Sequence, residues 1–133
     1  MKSLIVEDEF STRLIMQKLL APLGEAHVAT DGEEAVEAVR LALLENAPYD
    51  LICLDMLMPG IQGDEVLRSI RRMEEENGAI VGDDTKVLMI TSVKDAKTIM
   101  QCFNEQCDGY LVKPVDRQNL MSELTKLGFG EVT

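Results

Sequence analysis

Four kinds of side chain in this sequence could do chemistry together. "VEDEF" carries the adjacent acids Glu7 and Asp8, and "LICLDM" ends an apolar run on Asp55. "VLMITS" closes on Thr91 and Ser92, and "YLVKP" closes on Lys113 and Pro114. A carboxylate such as Asp55 is expensive to bury unless something nearby stabilises its charge. Three carboxylates brought together repel, and their pKa values rise unless a cation holds them. A hard dication with oxygen ligands answers that need, and Mg²⁺ takes few protein carboxylates, several waters and a phosphate oxygen. A lysine ammonium balances charge further and can hold a phosphoryl oxygen, while a threonine hydroxyl donates to another. These are the parts of a phosphoryl-transfer site, in which catalysis is mostly positioning and charge neutralisation. An Asp carboxylate can itself be the nucleophile and become an aspartyl phosphate.

The elements that must position these residues are legible. "SLIV" (Ser3–Val6), "LICL" (Leu51–Leu54) and "VLMI" (Val87–Ile90) are continuous apolar runs. Such runs fit strands covered on both faces, as in a parallel sheet. "EAHVAT" (Glu25–Thr30) and "DGYLVK" (Asp108–Lys113) are weaker strand candidates. Apolar residues at helical spacing predict helices over Ser11–Leu20, from Asp31 or Gly32 to near Pro48, and from about Gly63 to Glu76. A fourth is expected over about Asp95–Asn104 with Asp95 as cap, and a fifth over Asp116–Leu127 with Asp116 as cap and Gly128 past its end. Glu76–Lys86 reads as a long loop. Strand and helix alternate five times, which argues for an α/β fold with a five-stranded parallel sheet and five helices on both faces. Glu7, Asp8, Asp55, Thr91 and Lys113 all follow strands. They would converge outside the carboxyl ends of the sheet, where open parallel sheets bind ligands.

Composition bounds the rest. A chain of 133 residues suits one domain over 1–133. The net charge of −11 argues against direct nucleic-acid binding and fits a protein that binds cations or docks on basic surfaces. No apolar run is long enough for a membrane span, and "MKSLIVEDEF" is too short for a signal peptide, so a cytoplasmic protein with no membrane partner is expected. Cys53, Cys102 and Cys107 read as reduced thiols, with core packing ahead of metal binding.

The quoted segments, from "LIVEDE" through "LICLDMLMPGIQG" and "VLMITS" to "GYLVKP", resemble the receiver domain of two-component response regulators, the family of the bacterial chemotaxis regulator. The resemblance implies a flavodoxin-like sheet of order 2-1-3-4-5. It implies that Asp55 accepts the phosphoryl group and that Mg²⁺ is held by Asp8, by Asp55, by the main-chain carbonyl of Leu57 and, through water, by Glu7. Thr91 would hydrogen-bond the phosphoryl group, Lys113 would pair with it, and Lys113–Pro114 would be cis. Tyr110 would be the aromatic switch that follows Thr91. The signal would leave through the fourth helix, fifth strand and fifth helix, with Lys94, Lys97, Gln101 and Asn104 lining part of that face and Arg117 nearby. The partners implied are a sensor histidine kinase or phosphotransfer protein and an unknown downstream protein. Leu57 and Val93 stand two residues beyond Asp55 and Thr91. Both are apolar and offer an attacking water no hydrogen bond, which points to slow self-dephosphorylation.

Other readings of the same residues stand beside these. Glu7 and Asp8 could cap the first helix, Thr91 could be a turn residue, Lys113 a solvated charge and Tyr110 ordinary core. A phosphatase of the haloacid dehalogenase class uses similar chemistry, but it expects its nucleophile on the first strand and an Asp two residues later. Here Asp55 ends the third strand, and Leu57 stands at that position. A pure docking or phosphate-sink module needs the same site as a switch. The initial Met1 and the run-out after Leu127 lean toward a complete single-domain regulator.

Overall fold

The computed structural model describes residues 1–56, 58, 60–78, 85–92 and 107–130. Five strands form one parallel sheet: β1 (Lys2–Val6), β2 (Glu25–Ala29), β3 (Leu51–Asp55), β4 (Lys86–Thr91) and β5 (Gly109–Val112). Their order is β2-β1-β3-β4-β5, as the resemblance implies. The helices among the described residues are α1 (Phe10–Leu20), α2 (Gly32–Leu44), α3 (Gly63–Glu76) and α4 (Arg117–Lys126). The helix expected over Asp95–Asn104 lies outside the described residues.

Why the strands are apolar throughout follows from the two cores. Side chains alternate between the faces of a strand. Leu4, Val6, Ile52, Leu54, Val87 and Met89 pack on one face against Ala35 and Val39 of α2 and Val66, Leu67 and Ile70 of α3. Ile5, Leu51, Cys53, Leu88 and Ile90 pack on the other against Met16 and Leu20 of α1 and Leu120 and Leu124 of α4. Burial of each such Val, Leu, Ile or Met side chain stabilises the fold by about 1.5–3 kcal/mol. Strand β2 is half exposed along most of its length because it is a sheet edge, which explains its weaker sequence signal.

Helix boundaries have local causes. Asp31 caps α2 by accepting from Glu34 N. That helix stops at Leu44, short of Pro48, because Asn46 turns left-handed at φ 54°. Asp116 caps α4 in a reciprocal pair with Asn119, as its sequence suggests. Strand β3 runs one residue further than its apolar stretch, so Asp55 is a strand residue, paired across to Ile90.

At the opposite end of the sheet from these carboxyl termini, Arg71 of α3 joins three chain segments. It donates to Glu74 Oε1 at 2.7 Å, to the Thr85 carbonyl at 2.7 Å and to Asp108 Oδ2 at 2.7 Å. Glu74 also accepts from Thr85 N, and Asp108 from Val87 N. Among the described residues, no buried side-chain polar atom lacks a hydrogen-bond partner.

One expectation is corrected. Cys107 is disulfide-bonded, while Cys53 is a buried free thiol. An odd cysteine count leaves at least one thiol over but does not forbid a pair, so composition alone could not establish three reduced thiols.

Candidate functional site

The strand order reverses between β1 and β3, and the acids sit at their carboxyl ends. Glu7 follows β1 and is buried at 3% exposure; Asp55 ends β3 at 5% exposure. Asp8 is exposed beside them. One oxygen from each of Glu7, Asp8 and Asp55 lies within 4.8 Å of the others, a donor set suited to one hard cation. Lys113 enters from the end of β5. Its Nζ lies 2.8 Å from Glu7 Oε1 and 3.3 Å from Asp55 Oδ2. The bond from Lys113 to Pro114 is cis. The backbone of Lys113 is itself fixed, because its N–H donates to the Thr91 carbonyl at 2.7 Å.

The electrostatics follow from this packing. Burial raises the pKa of Glu7, the neighbouring Asp55 raises it further, and Lys113 pulls it back. Burial works against the charge of Lys113, but Glu7 and Asp55 outweigh it and its pKa stands above the ordinary lysine value. With all three carboxylates ionised, the cluster would carry more negative charge than its one ammonium balances. A cation at the three carboxylates would relieve that excess.

The loops around the acids are tightly tied. Glu9 N donates to Glu7 Oε2 at 3.3 Å, and the Glu9 carboxylate accepts from the Ser11 and Thr12 hydroxyls. Those hydroxyls hold the Glu9 carboxyl below its ordinary pKa. Arg13 Nη1 donates to the carbonyls of Glu7 and Asp8 at 3.1 and 3.3 Å. Past Asp55, Met56 N donates to Ile90 O and Gly63 N to Met56 O. A Cβ on Gly63 would stand 2.7 Å from both the Asp55 carbonyl oxygen and Met56 Cα, so only glycine lets α3 approach the strand end this closely.

Thr91 is buried at 2% exposure at the end of β4. Tyr110 is half-buried on β5 opposite Met89 and packs with the α2–α3 core. Met89 and Thr91 are two residues apart on one strand, so Thr91 shares that face. The structure thus brings Glu7, Asp8, Asp55 and Lys113 together and puts Thr91 on the strand between Asp55 and Lys113. Leu57, Val93, Lys94, Lys97, Gln101 and Asn104 lie outside the described residues, and Arg117 opens α4. Sequence reasoning missed Glu9 and Arg13. The acceptors of Arg13 are backbone carbonyls, so no residue type signalled them.

A doubly wound parallel sheet with acids, threonine and lysine at its switch point defines a class of phosphoryl-accepting signalling modules. The chain belongs to the response regulator receiver domain family, whose profile it matches over residues 3–125. It is 34% identical over 129 residues to the chemotaxis protein CheY-3 of Vibrio cholerae, covering 96% of this chain and 91% of that protein. Its fold is similar to the solved structure of Vibrio cholerae chemotaxis protein CheY4, with TM-score 0.78, 28% identity and coverage of 95% and 97%. The fold also matches a chain in the CheX–CheY–BeF3–Mg complex from Borrelia burgdorferi, with TM-score 0.80, 23% identity and coverage of 95% and 87%. The chain is therefore a receiver, a switch module of signalling proteins and not a classical enzyme. No helix among the described residues is long and apolar enough to cross a membrane.

Proposed function

We propose that Asp55 is the phosphoacceptor, and that residues 1–133 work as one receiver unit in a phosphorelay. The observation that carries this reading is the Lys113 ammonium spanning Glu7 and Asp55 at the switch point of the sheet. An Asp55 oxygen attacks the phosphorus of a phosphohistidine or of a small acyl phosphate. The P–N or P–O bond of the donor breaks, and its electron pair leaves with the imidazole or carboxylate. Lys113 is within reach of both acids, so it can hold a phosphoryl oxygen on Asp55 while remaining paired with Glu7. Thr91 Oγ1 donates to another phosphoryl oxygen, and the burial of Asp55 limits access of water. Glu7, Asp8 and Asp55, with the Leu57 carbonyl, would hold Mg²⁺, which supplies charge neutralisation at the phosphoryl oxygens when bound.

The phosphoryl group adds negative charge and strong acceptors at the strand ends. Thr91 moves toward it and Tyr110 follows, which shifts an equilibrium between two surfaces of the domain. The face carrying β5 and α4 presents the result to a downstream protein. The donor is a sensor histidine kinase or phosphotransfer protein in the cytoplasm. The apolar residues Leu57 and Val93 leave an attacking water without a hydrogen-bond partner, so self-dephosphorylation is slow. An unchanged or slower decay in Leu57→Asn would contradict that last point.

The test is intact-mass analysis after incubation with acetyl phosphate, with and without Mg²⁺. The proposal expects one phosphoryl group gained only with Mg²⁺ and none in Asp55→Asn. A gain that persists in Asp55→Asn would overturn it.

A further inference from the structure

Arg13 is the fourth residue of α1, whose N-cap residue is Glu9. A cation near that end faces the positive pole of the helix dipole, which is unfavourable. Something must offset that. The guanidinium donates from Nη1 to the carbonyls of Glu7 and Asp8 at 3.1 and 3.3 Å. Its carbon also lies 5.5 Å from the centre of the Phe10 ring, which itself is 68% exposed. Phe10 thus backs the guanidinium and aims it at the turn between β1 and α1. Two further ties meet on that turn: Glu9 N to the Glu7 carboxylate, and Arg13 N to the Glu9 carbonyl at 3.0 Å.

We infer that Arg13 is a positioning residue for the cation site. It clamps the carbonyls of both acids of the Glu7–Asp8 pair, so that their side chains are fixed toward Asp55 before a cation arrives. The inference rests on the reading that these carboxylates hold Mg²⁺, and it gives Arg13 a role opposite in sign to that of its charge. A nearby positive charge alone opposes a dication. Removing it would tighten Mg²⁺ binding. Removing a clamp loosens the two carboxylates and weakens binding, because the cation must then order them.

Mg²⁺ titration by calorimetry, on wild type, Arg13→Gln and Arg13→Lys, separates the two. The clamp predicts a weakening of about tenfold in Arg13→Gln, the low end for loss of a group supporting metal ligands. Arg13→Lys, which keeps the charge and one donor contact, recovers part of it. Unchanged or tighter binding in Arg13→Gln would overturn the inference. Amide hydrogen exchange in the metal-free proteins gives a second readout. Arg13→Gln should speed exchange at Glu9 N while leaving the β3 and β4 amides unchanged. Unchanged exchange at Glu9 would also overturn the clamp. If wild type itself failed to bind Mg²⁺, the metal assignment would fall, and the exchange result would still decide the role of Arg13.

Discussion

Replacing Arg71 with methionine tests whether the polar cluster below the sheet holds the fold together. The Arg71 side chain is 11% exposed, and its partners Glu74 and Asp108 are 7% and 23% exposed. Methionine fills much the same volume but donates nothing. It leaves a buried Glu74 carboxylate with Thr85 N as a remaining donor. Removing one partner of a buried ion pair costs about 3–5 kcal/mol, most of it the uncompensated charge left behind. Asp108 keeps some solvent and its bond from Val87 N, so about 3 kcal/mol is the expected loss. At about 2.1 cal/mol/K per residue, 133 residues give an unfolding entropy of about 0.28 kcal/mol/K. The expected fall in Tm is then roughly 11 °C. The assay is calorimetric or circular-dichroism melting at fixed pH, with urea unfolding as a check. The double variant Arg71→Met/Glu74→Gln removes the stranded charge while keeping an acceptor for Thr85 N. It should recover about half of the loss, a coupling well above 1 kcal/mol. A loss below about 1 kcal/mol in the single variant, or simple additivity in the double, would refute the reasoning.

Further outcomes follow from other sites. Gly63→Ala puts a Cβ 2.7 Å from backbone atoms of Asp55 and Met56, so urea unfolding should show a loss of more than about 1–3 kcal/mol and Mg²⁺ titration a weaker site. Burial, with Glu25 and Glu45, raises the pKa of Tyr49 above its ordinary value near 10. The neutral phenol then stabilises the fold fully below pH 10, and that contribution is lost as pH rises through the folded value. Tyr49→Phe should therefore show a shallower fall in stability than wild type as the pH rises above the ordinary tyrosine value, read by guanidinium unfolding at each pH. Burial pushes the Cys53 thiol up to about 12. Iodoacetamide at pH 8 should leave Cys53 unmodified in the native protein and alkylate it after unfolding, as read by peptide mass.

How far the sequence reaches depends on how local the cause is. The strands β1, β3 and β4 were readable because burial on both faces makes them apolar at every position. Asp116 was readable as a cap because its bond closes within three residues, and the start of α2 was readable to within one residue, at Asp31 or Gly32. The convergence of Glu7, Asp8, Asp55 and Lys113 was readable because each simply ends a strand, and strand order does the rest. The ties made by Arg71 were not, since Thr85 and Asp108 stand 14 and 37 residues away and nothing local links them. Arg13 escaped for a different reason. Its acceptors are backbone carbonyls, which carry no residue signature. The disulfide at Cys107 is likewise a matter of proximity that a cysteine count does not contain.

The central claim is that Asp55 carries the phosphoryl group, and its location can be read directly. An acyl phosphate is reduced by borohydride to the alcohol, which marks the acceptor carboxyl with a stable change in mass. After incubation with acetyl phosphate and Mg²⁺, then borohydride and digestion, the account predicts that mark on the peptide holding Asp55 and at that residue. The mark at Glu7, Asp8 or any other carboxylate, with Asp55 unchanged, would contradict it.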